Sequence, residues 1–381
     1  MSRSPARRRE PALRARRVVV KVGSSVLTAP DERGVNRRVL GRIAAQLVEL
    51  RAQGREVILV SSGSIAAGSK RLDWKNVPRG MSERQAAAAV GQPILMDAYG
   101  RAFKRRGVEI AQILLTHADL DVRTRFLNAR NTFEALLSRK VLPIVNENDS
   151  VSVEEIRFGD NDTLAAQVAL MIQAELVVIL SDVEGLYDAD PRKVEGARLL
   201  HRVEGLPGKV VRGAGESANP YARGGMVTKM EAVRVLNRVG IATLIVRGRE
   251  PGILLRVLAG EEEGTFFVPN GARLKGRKSW IGTTATPKGW IRVDKGAAAA
   301  LLKRGKSLLP SGVVAVGGDF HYGDLVELRG PGDVSLGRGL ASYSAEDAAR
   351  IAGKHTREIA SILGRKDYDE IIHRSNLVLN D

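Results

Sequence analysis

The chain has 381 residues and no Cys, and it carries a formal net charge of +17. This length predicts two or three domains, and the absence of Cys excludes a disulfide framework and a thiolate metal site. No apolar run reaches the roughly 18 residues that a membrane-spanning helix needs. Because the lack of Cys fits a reducing compartment, we expect a cytoplasmic protein.

The chain begins with a basic segment. Seven of residues 1–17 are Arg, and the segment lacks the apolar stretch of a secretory signal. We interpret residues 1–17 as a flexible Arg-rich tail. Such a run can also contact nucleic acid or another polyanion, and positive charge spread along the rest of the chain can steer anionic substrates such as nucleotides.

Short apolar runs alternate with helical patterns along most of the chain. The runs are rich in Val, Ile and Leu and nearly continuous, as strands buried on both faces are, and they predict strands at 17–22, 56–61, 108–115, 141–146, 176–181 and 241–246. Apolar residues at helical spacing predict helices over 36–53, 124–139 and 162–174. This alternation predicts an α/β fold, a three-layer αβα sandwich around a mostly parallel sheet.

The composition changes in the last third of the chain. The stretch 273–288 is polar, basic and rich in Gly and Thr, which is typical of a linker. A short helix at 297–304 and short strands with Gly and Pro turns then predict a small β-rich domain over 289–366. The remaining residues, 367–381, are a C-terminal extension, and the larger α/β domain spans 18–272.

Small and basic residues follow the first two predicted strands. In open parallel sheets, ligands bind beyond the carboxyl ends of the strands. Lys21 closes the first strand and Gly23 begins the turn after it, and a glycine turn with a lysine suits an anion. Ser62 and Gly63 lead from the second strand into a helix, whose N-terminus is a further anion site. A surface lysine before a tight turn and ordinary helix capping are the alternatives.

An acidic, amide-rich strip follows the fourth predicted strand, although the chain as a whole is basic. Residues 144–162 hold six carboxylates and three Asn. Such a strip can hold a metal ion, bind a cationic ligand or face solvent. It lacks the spacing of an EF-hand loop, and we predict no protein-bound metal site there.

Two later stretches complete the set of strand ends. Ser181 and Asp182 follow the fifth predicted strand, and the segment RGGMVTK, 223–229, is a Gly-Gly turn that leads into a helix with Lys229 in its first turns. The alternative for that segment is a helix-start loop with an exposed lysine. Lysines with glycine turns suit phosphate, whereas acids and amides suit an ammonium group. A nucleotide triphosphate and an ammonium-bearing substrate would together use all of these stretches.

Seven stretches of the chain resemble the amino acid kinase family, and they occur in the family's order. They are VVVKVGSSVLT, VSSGSIAAG, FLNARNTFEALL, PIVNENDSV, FGDNDTLAA, SDVEGLYDADPR and GGMVTK. The resemblance runs from residue 17 to the C-terminal region, where VDKGAAAALLKRGKSLLPSGV is similar to a PUA domain.

This resemblance implies a reaction. The γ-phosphoryl group of ATP, the co-substrate, would be transferred to the side-chain carboxylate of L-glutamate, an early step of L-proline biosynthesis. Lys21 and Lys229 would be catalytic residues that contact the phosphates, and Asp162 would orient them. Mg²⁺ would be held mainly through the nucleotide, as that ion tends to be.

The resemblance also implies two sets of binding residues. Ser62, Asp149 and Asn161 match substrate contacts. The ATP-binding set comprises Lys21, Ser181, Asp182, Arg223, Gly224, Gly225, Met226, Val227, Thr228 and Lys229. Arg223 departs from the pattern, because the family often has a small residue such as Thr there. A guanidinium at that position could add a phosphate contact or crowd the nucleotide.

Several alternatives stay open at this point. Kinases of the same fold act on N-acetyl-L-glutamate, L-aspartate or UMP, although VSSGSIAAG and the PUA-like segment favour L-glutamate. RNA binding by the PUA-like domain is a different class of function, and it would be steeply salt-dependent. The resemblance further implies feedback inhibition by L-proline, through the loop after the third strand, and a homo-oligomer, either a dimer or a tetramer.

Overall fold

A computed structural model describes residues 12, 14–28, 34–74, 78, 80–151, 161–204, 225–269 and 287–380. The chain divides into two compact units, Met1–Arg273 and Leu274–Asp381. Most of the predicted tail, 1–17, and all but the last two residues of the predicted linker, 273–288, lie outside the described residues. Within the described ranges, no helix combines the length and the apolar character that crossing a membrane requires.

The first unit is built on a mostly parallel sheet. Its strands are β1 Arg17–Val22, β2 Glu56–Ser61, β3 Ile110–Leu115, β4 Leu142–Glu147, β5 Leu176–Ser181, β6 Arg202–Glu204, β7 Ala242–Arg247 and β8 Thr265–Val268. They lie in the order β3-β4-β2-β1-β5-β7-β8-β6. The strands from β3 to β7 in this order are parallel, whereas β8 pairs antiparallel with β7 and parallel with β6. The predicted fold class is confirmed.

Helices connect these strands. They are α1 Ser24–Leu27, α2 Arg37–Ala52, α3 Ser64–Arg71, α4 Met81–Lys104, α5 His117–Asp121, α6 Arg123–Ser138, α7 Asn161–Met171, α8 Met226–Arg238 and α9 Ile253–Leu258. The predicted helix over 36–53 becomes α2, which begins after Asn36 because the Asn36 side chain accepts hydrogen bonds from the N–H groups of Arg38 and Val39. The predicted helix over 162–174 ends earlier, at Met171, since Gln173 adopts a left-handed conformation with φ of 54°.

The central strand β1 is buried on both faces. Val18, Val20 and Val22 belong to a core cluster that includes residues of α2 and α4. Val19, which faces the other way, is equally buried, and α7 packs against β1 and β5. A strand with helices on both sides explains why its sequence is continuously apolar up to Lys21.

Helices α3 and α4 touch backbone to backbone. A Cβ atom built at Gly91 would lie 1.8 Å from the carbonyl oxygen of Ser64, and one built at Gly68 would lie 1.8 Å from that of Ala87. Only glycine permits this approach. The contact holds α4 against the turn that follows β2, where the strand ends gather.

The second unit is a small β-rich domain, as predicted. Its strands are β9 Gly289–Val293, β10 Val313–Gly318, β11 Leu325–Arg329, β12 Ser335–Leu340 and β13 Leu377–Leu379, and its helices are α10 Lys295–Arg304, α11 Ala345–Ile351 and α12 Ile359–Leu363. The sheet order is β10-β9-β11-β12-β13. Helix α10 begins two residues before the predicted 297, because the Asp294 side chain caps it by accepting a hydrogen bond from the N–H of Ala297.

The α3–α4 contact generates a stability prediction. Gly91→Ala should lower the free energy of unfolding by about 3 kcal/mol or more, because the added methyl group overlaps backbone that cannot move aside. Gly41→Ala is the matched control, since a Cβ there meets no atom within 4 Å. This second change in a helix should stabilise the protein by about 0.5–1 kcal/mol. Denaturant unfolding measures both, and equal effects of the two substitutions would refute the close contact.

Candidate functional site

The carboxyl ends of four neighbouring strands meet at one edge of the sheet. In the order β4-β2-β1-β5, these ends bring together the polar segments that begin at Asn146, Ser61, Lys21 and Ser181. The backbone continues the pairing beyond the strands: Ser62 N–H donates to the carbonyl oxygen of Val22 (3.1 Å), and Gly23 N–H donates to that of Leu180 (3.2 Å). The predicted strand-end stretches are therefore neighbours in space.

A buried carboxylate lies between two lysines at this edge. Lys21 Nζ is 2.6 Å from Asp162 Oδ1, and Lys229 Nζ is 3.2 Å from Asp162 Oδ2. The exposed fractions are 2% for Lys21, 0% for Asp162 and 4% for Lys229. Each carboxylate oxygen thus faces one ammonium group. The three side chains are far apart in sequence, and they come from β1, the first turn of α7 and the first turn of α8.

Local structure places each member of this charged trio. Lys21 lies on the face of β1 that Val19 shares, and this is the face against which α7 packs. Gly225 precedes α8 in an extended conformation. Thr228 Oγ1 donates to the carbonyl oxygen of Gly225 (2.9 Å) and also lies 3.3 Å from Asp162 Oδ2, which ties the first turn of α8 to the carboxylate.

A network of amide side chains lies beside the trio. Asn161 Nδ2 donates to Ser62 Oγ (2.7 Å), to Asn146 Oδ1 (2.9 Å) and to the carbonyl oxygen of Ser61 (3.2 Å). The amino group of Asn161 thus serves the network, and Oδ1 is the acceptor atom of the same side chain.

Asp149 joins the same network through a serine. Ser64 Oγ, in the first turn of α3, donates to Asp149 Oδ2 at 3.2 Å. Gly63 makes the turn from β2 into α3 possible, because its φ of 114° is open to glycine. The structure thus brings Ser62, Asp149 and Asn161, the three predicted substrate contacts, into one hydrogen-bonded group.

The predicted ATP-binding residues that the structure describes, apart from Lys21, come from the end of β5 and the start of α8. Ser181 is buried at the end of β5, and its hydroxyl donates to Asp182 Oδ1 at 3.1 Å. Gly225, Met226, Val227 and Thr228 form the start of α8, with Val227 exposed. Arg223 and Gly224 lie outside the described residues, so the effect of the guanidinium stays a prediction. Glu154 and Glu155 of the acidic strip also lie outside them.

Three polar residues of the network were not among the predicted site residues. Ser64 belongs to the stretch VSSGSIAAG and Asn146 to PIVNENDSV, both of which resemble the family. The sequence signal for Asn146 was an Asn at the end of an apolar strand. Gln92 lies in the middle of α4, which was not predicted, and its side chain accepts a hydrogen bond from Asn146 Nδ2 at 2.9 Å.

Tyr99 lies under the same turn but is not suited to proton transfer. Its hydroxyl lies 2.9 Å from Ser61 Oγ. Burial raises the pKa of Tyr99 well above its ordinary value, although the Ser61 hydrogen bond opposes the shift. The phenol therefore stays neutral near physiological pH and acts as a hydrogen-bonding and packing group.

The arrangement has two chemically distinct halves. The trio carries a formal charge of +1 and lies next to the glycine turn at Gly23, which suits a phosphate group. The amide network presents a carboxylate from Asp149 and an acceptor from Asn161, which suit an ammonium group. Since Asn161 and Asp162 are consecutive residues of α7, the two halves adjoin.

The sequence of this chain is similar to that of known proteins over most of its length. Residues 16–247 match the amino acid kinase family, and residues 289–363 match the PUA domain. A glutamate 5-kinase of Geobacter sulfurreducens is 49% identical over 366 residues, which cover 96% of this chain and 98% of that protein. A glutamate 5-kinase of Carboxydothermus hydrogenoformans is 49% identical, with 98% and 100% covered. A glutamate 5-kinase of Thermus thermophilus is 47% identical, with 97% and 99% covered.

The charged trio generates a stability prediction. Asp162→Asn should lower the free energy of unfolding by about 3 kcal/mol, because it leaves two ammonium groups buried without the carboxylate between them. Asp97→Asn is the control, since the Asp97–Arg101 pair is half exposed or more and should contribute about 0.5 kcal/mol or less. Denaturant unfolding of both variants measures the difference. An Asp162 variant as stable as the Asp97 variant would contradict the placement of the trio.

Proposed function

Because the chain belongs to the amino acid kinase family and carries a PUA domain, we propose that it is a kinase that transfers the γ-phosphoryl group of ATP to the side-chain carboxylate of L-glutamate. The observation that carries this assignment is the similarity, over nearly the whole chain, to proteins named glutamate 5-kinase. The product is L-glutamyl 5-phosphate, an early intermediate of L-proline biosynthesis.

This reaction needs no general base. The side-chain carboxyl group of glutamate has a pKa of about 4.3, so it is already ionised near neutral pH. One carboxylate oxygen attacks the γ-phosphorus, the bond from that phosphorus to the β–γ bridging oxygen breaks, and ADP leaves with the electron pair. Catalysis then depends on aligning two anions and on stabilising the charge of the transferring group.

We assign the stabilisation of that charge to Lys21 and Lys229. Their ammonium groups share the Asp162 carboxylate, which supports a fixed separation between them. Buried charges act strongly on a transferring phosphoryl group because little water screens them. Asp162 is the residue that aims both lysines, and it takes no proton in this scheme.

We assign the recognition of L-glutamate to Ser62, Asp149 and Asn161. The Asp149 carboxylate and the Asn161 carbonyl oxygen suit the α-ammonium group, and the Ser62 hydroxyl is held in the same network by Asn161. Asn161 immediately precedes Asp162 in α7. This adjacency supports a substrate bound with its α-amino end on the network and its side-chain carboxylate toward the lysines.

We assign ATP to the side of β1 that β5 and α8 form. Ser181 and Asp182 follow β5, while Gly225, Met226, Val227 and Thr228 lead into Lys229. Arg223 and Gly224 belong to the same proposed loop, and they lie outside the described residues. The start of α8 offers backbone N–H groups to a phosphate, which supports this placement.

Mg²⁺ is proposed to arrive with the nucleotide. Within the described part of the chain, no group of three or more His, Asp or Glu side chains could hold a metal ion. We place the ion on the phosphate oxygens of ATP, with water as its remaining ligands, as Mg²⁺ usually binds at kinase sites. Loss of ADP release on chelation of Mg²⁺, restored by excess Mg²⁺, is the expected result.

Three further proposals rest on the family assignment. We propose a cytoplasmic enzyme and a homo-oligomer, a dimer or a tetramer, whose mass light scattering would measure. RNA binding by the PUA domain stays a prediction. Filter binding at two salt concentrations tests it, and no retention at low salt would dismiss it.

The catalytic assignment generates a kinetic prediction. Wild-type enzyme should release ADP with L-glutamate far faster than with N-acetyl-L-glutamate, L-aspartate or UMP. Lys21→Ala should lower kcat about 100-fold to 1000-fold, as the loss of one charge-stabilising donor does. Lys104→Ala is the control, because Lys104 is exposed at the end of α4, and it should leave kcat unchanged. Preference for another acceptor would refute the proposed substrate, and a fully active Lys21 variant would refute the lysine's role.

Feedback by the end product is a separate proposal. We propose that L-proline competes with L-glutamate through the loop after β3, which leads into α5 and α6. Millimolar L-proline should raise the apparent KM for L-glutamate and leave kcat unchanged. Steady-state rates at several concentrations of each amino acid provide the measurement. Rates that do not respond to millimolar L-proline would rule this out.

A further inference from the structure

Asn146 is the hub of the buried amide network. Its Oδ1 accepts from Asn161 Nδ2 (2.9 Å) and from the backbone N–H of Glu147 (3.0 Å). Its Nδ2 donates to Gln92 Oε1 (2.9 Å) and, at 3.4 Å, to Ser64 Oγ. An amide has two N–H groups and one carbonyl oxygen with two lone pairs, so these four hydrogen bonds use the full capacity of the side chain.

The hub connects both residues assigned to the ammonium group of the substrate. One branch runs from Asn146 directly to Asn161, and the other runs through Ser64 to Asp149, whose Oδ2 accepts from Ser64 Oγ at 3.2 Å. A movement of Asn146 would therefore displace the Asn161 acceptor and the Asp149 carboxylate together.

Backbone groups fix the direction of the hydrogen bonds. The N–H of Glu147 can only donate, so the atom of Asn146 that it meets is the carbonyl oxygen. The carbonyl oxygen of Ser61 can only accept, so the atom of Asn161 that it meets is the amino group. Asn146 Nδ2 must consequently find an acceptor on its other side, and Gln92 Oε1 supplies it at the shorter of its two distances.

Gln92 reaches the hub from outside the sheet. It is 9% exposed and follows Gly91, the residue at which α4 touches the backbone of α3. The glycine contact holds α4 at a fixed distance from the strand ends, and Gln92 extends from that point of contact to Asn146. Its position is therefore as rigid as the packing of the two helices.

We propose that Gln92 is a positioning residue for substrate recognition, which holds Asn146 so that Asn161 and Asp149 keep the mutual orientation that binds an α-ammonium group. This inference rests on the proposed function, and it adds a residue of α4 to the site. Gln92 itself does not touch the reacting atoms.

Removing the acceptor of Gln92 should loosen the hub in a defined direction. One N–H of Asn146 would lose its close partner, and an unsatisfied buried donor is costly. Asn146 would shift toward Ser64, its remaining acceptor, and away from Asn161. The substrate's ammonium group would then meet displaced Asn161 and Asp149 side chains. The charged trio and the residues assigned to ATP would keep their contacts.

The test compares two substitutions of Gln92. Gln92→Met keeps the length and apolar stem but removes the acceptor, and it should raise KM for L-glutamate about tenfold, the effect of one well-formed hydrogen bond. Its kcat and its KM for ATP should stay within about threefold of wild type. Gln92→Glu keeps an acceptor at the same place and should retain a KM for L-glutamate within about threefold of wild type.

Gln167→Met is the matched control. Gln167 is a buried glutamine, 5% exposed, of α7, the helix that carries Asn161 and Asp162. Its Oε1 has no hydrogen-bond partner among the described residues, and its substitution should leave KM for L-glutamate unchanged. A purely structural role of Gln92 would instead lower kcat and raise both KM values together, and this result would overturn the proposal.

The outcomes separate this inference from the function on which it rests. Wild-type enzyme that releases no ADP with L-glutamate would overturn the proposed function and the positioning role with it. Active wild-type enzyme with an unchanged KM in Gln92→Met, or an equal defect in Gln92→Glu, would overturn the positioning role alone. Should Gln92→Met fail to fold, Gln92→Asn withdraws the amide by one methylene group and must show the same selective rise in KM.

Discussion

The shared carboxylate of Asp162 is the interaction on which the rest of the site depends. Two lysines are almost fully buried, and burial of an ammonium group is costly unless an opposite charge accompanies it. Asp162 supplies that charge with one oxygen for each lysine. The pairing also fixes the relative placement of β1, α7 and α8, because each of them contributes one member. Under the proposed function, stability and catalysis would depend on the same three side chains.

The sheet topology places two chemically distinct groups of side chains at one edge. Strand β1 lies between β2 and β5, so the lysine at its end faces an amide network on one side and the start of α8 on the other. Helix α7 joins the two halves, since Asn161 belongs to the network and Asp162 to the charged trio. Under the proposed function, a substrate that spans these adjoining residues would direct its side-chain carboxylate toward the phosphoryl group. Alignment would then replace proton removal as the task of the enzyme.

Most of the central sheet could be predicted from the sequence, because strands buried on both faces are continuously apolar. Strands β6 and β8 span three and four residues, too few to form such a run. Helix α4 contains Pro93, which usually argues against a helix interior. Lys21 stood out because strand ends collect ligand-binding residues, whereas Asp162 and the role of Lys229 were predicted only from the resemblance to the family. Gln92 could not be predicted as a site residue, because its contact with Asn146 spans 54 residues. The contact also depends on α4, a helix that the local sequence disfavours.

The central claim is that Lys21 and Lys229 act together on one phosphoryl group while Asp162 aims them. A crystal structure with L-glutamate and a non-hydrolysable ATP analogue tests it most directly. The account predicts γ-phosphate oxygens within about 3 Å of both Nζ atoms, with Asp162 still between the lysines. A γ-phosphate that contacts neither lysine, or a Lys229 turned away from Asp162 in the complex, would contradict it.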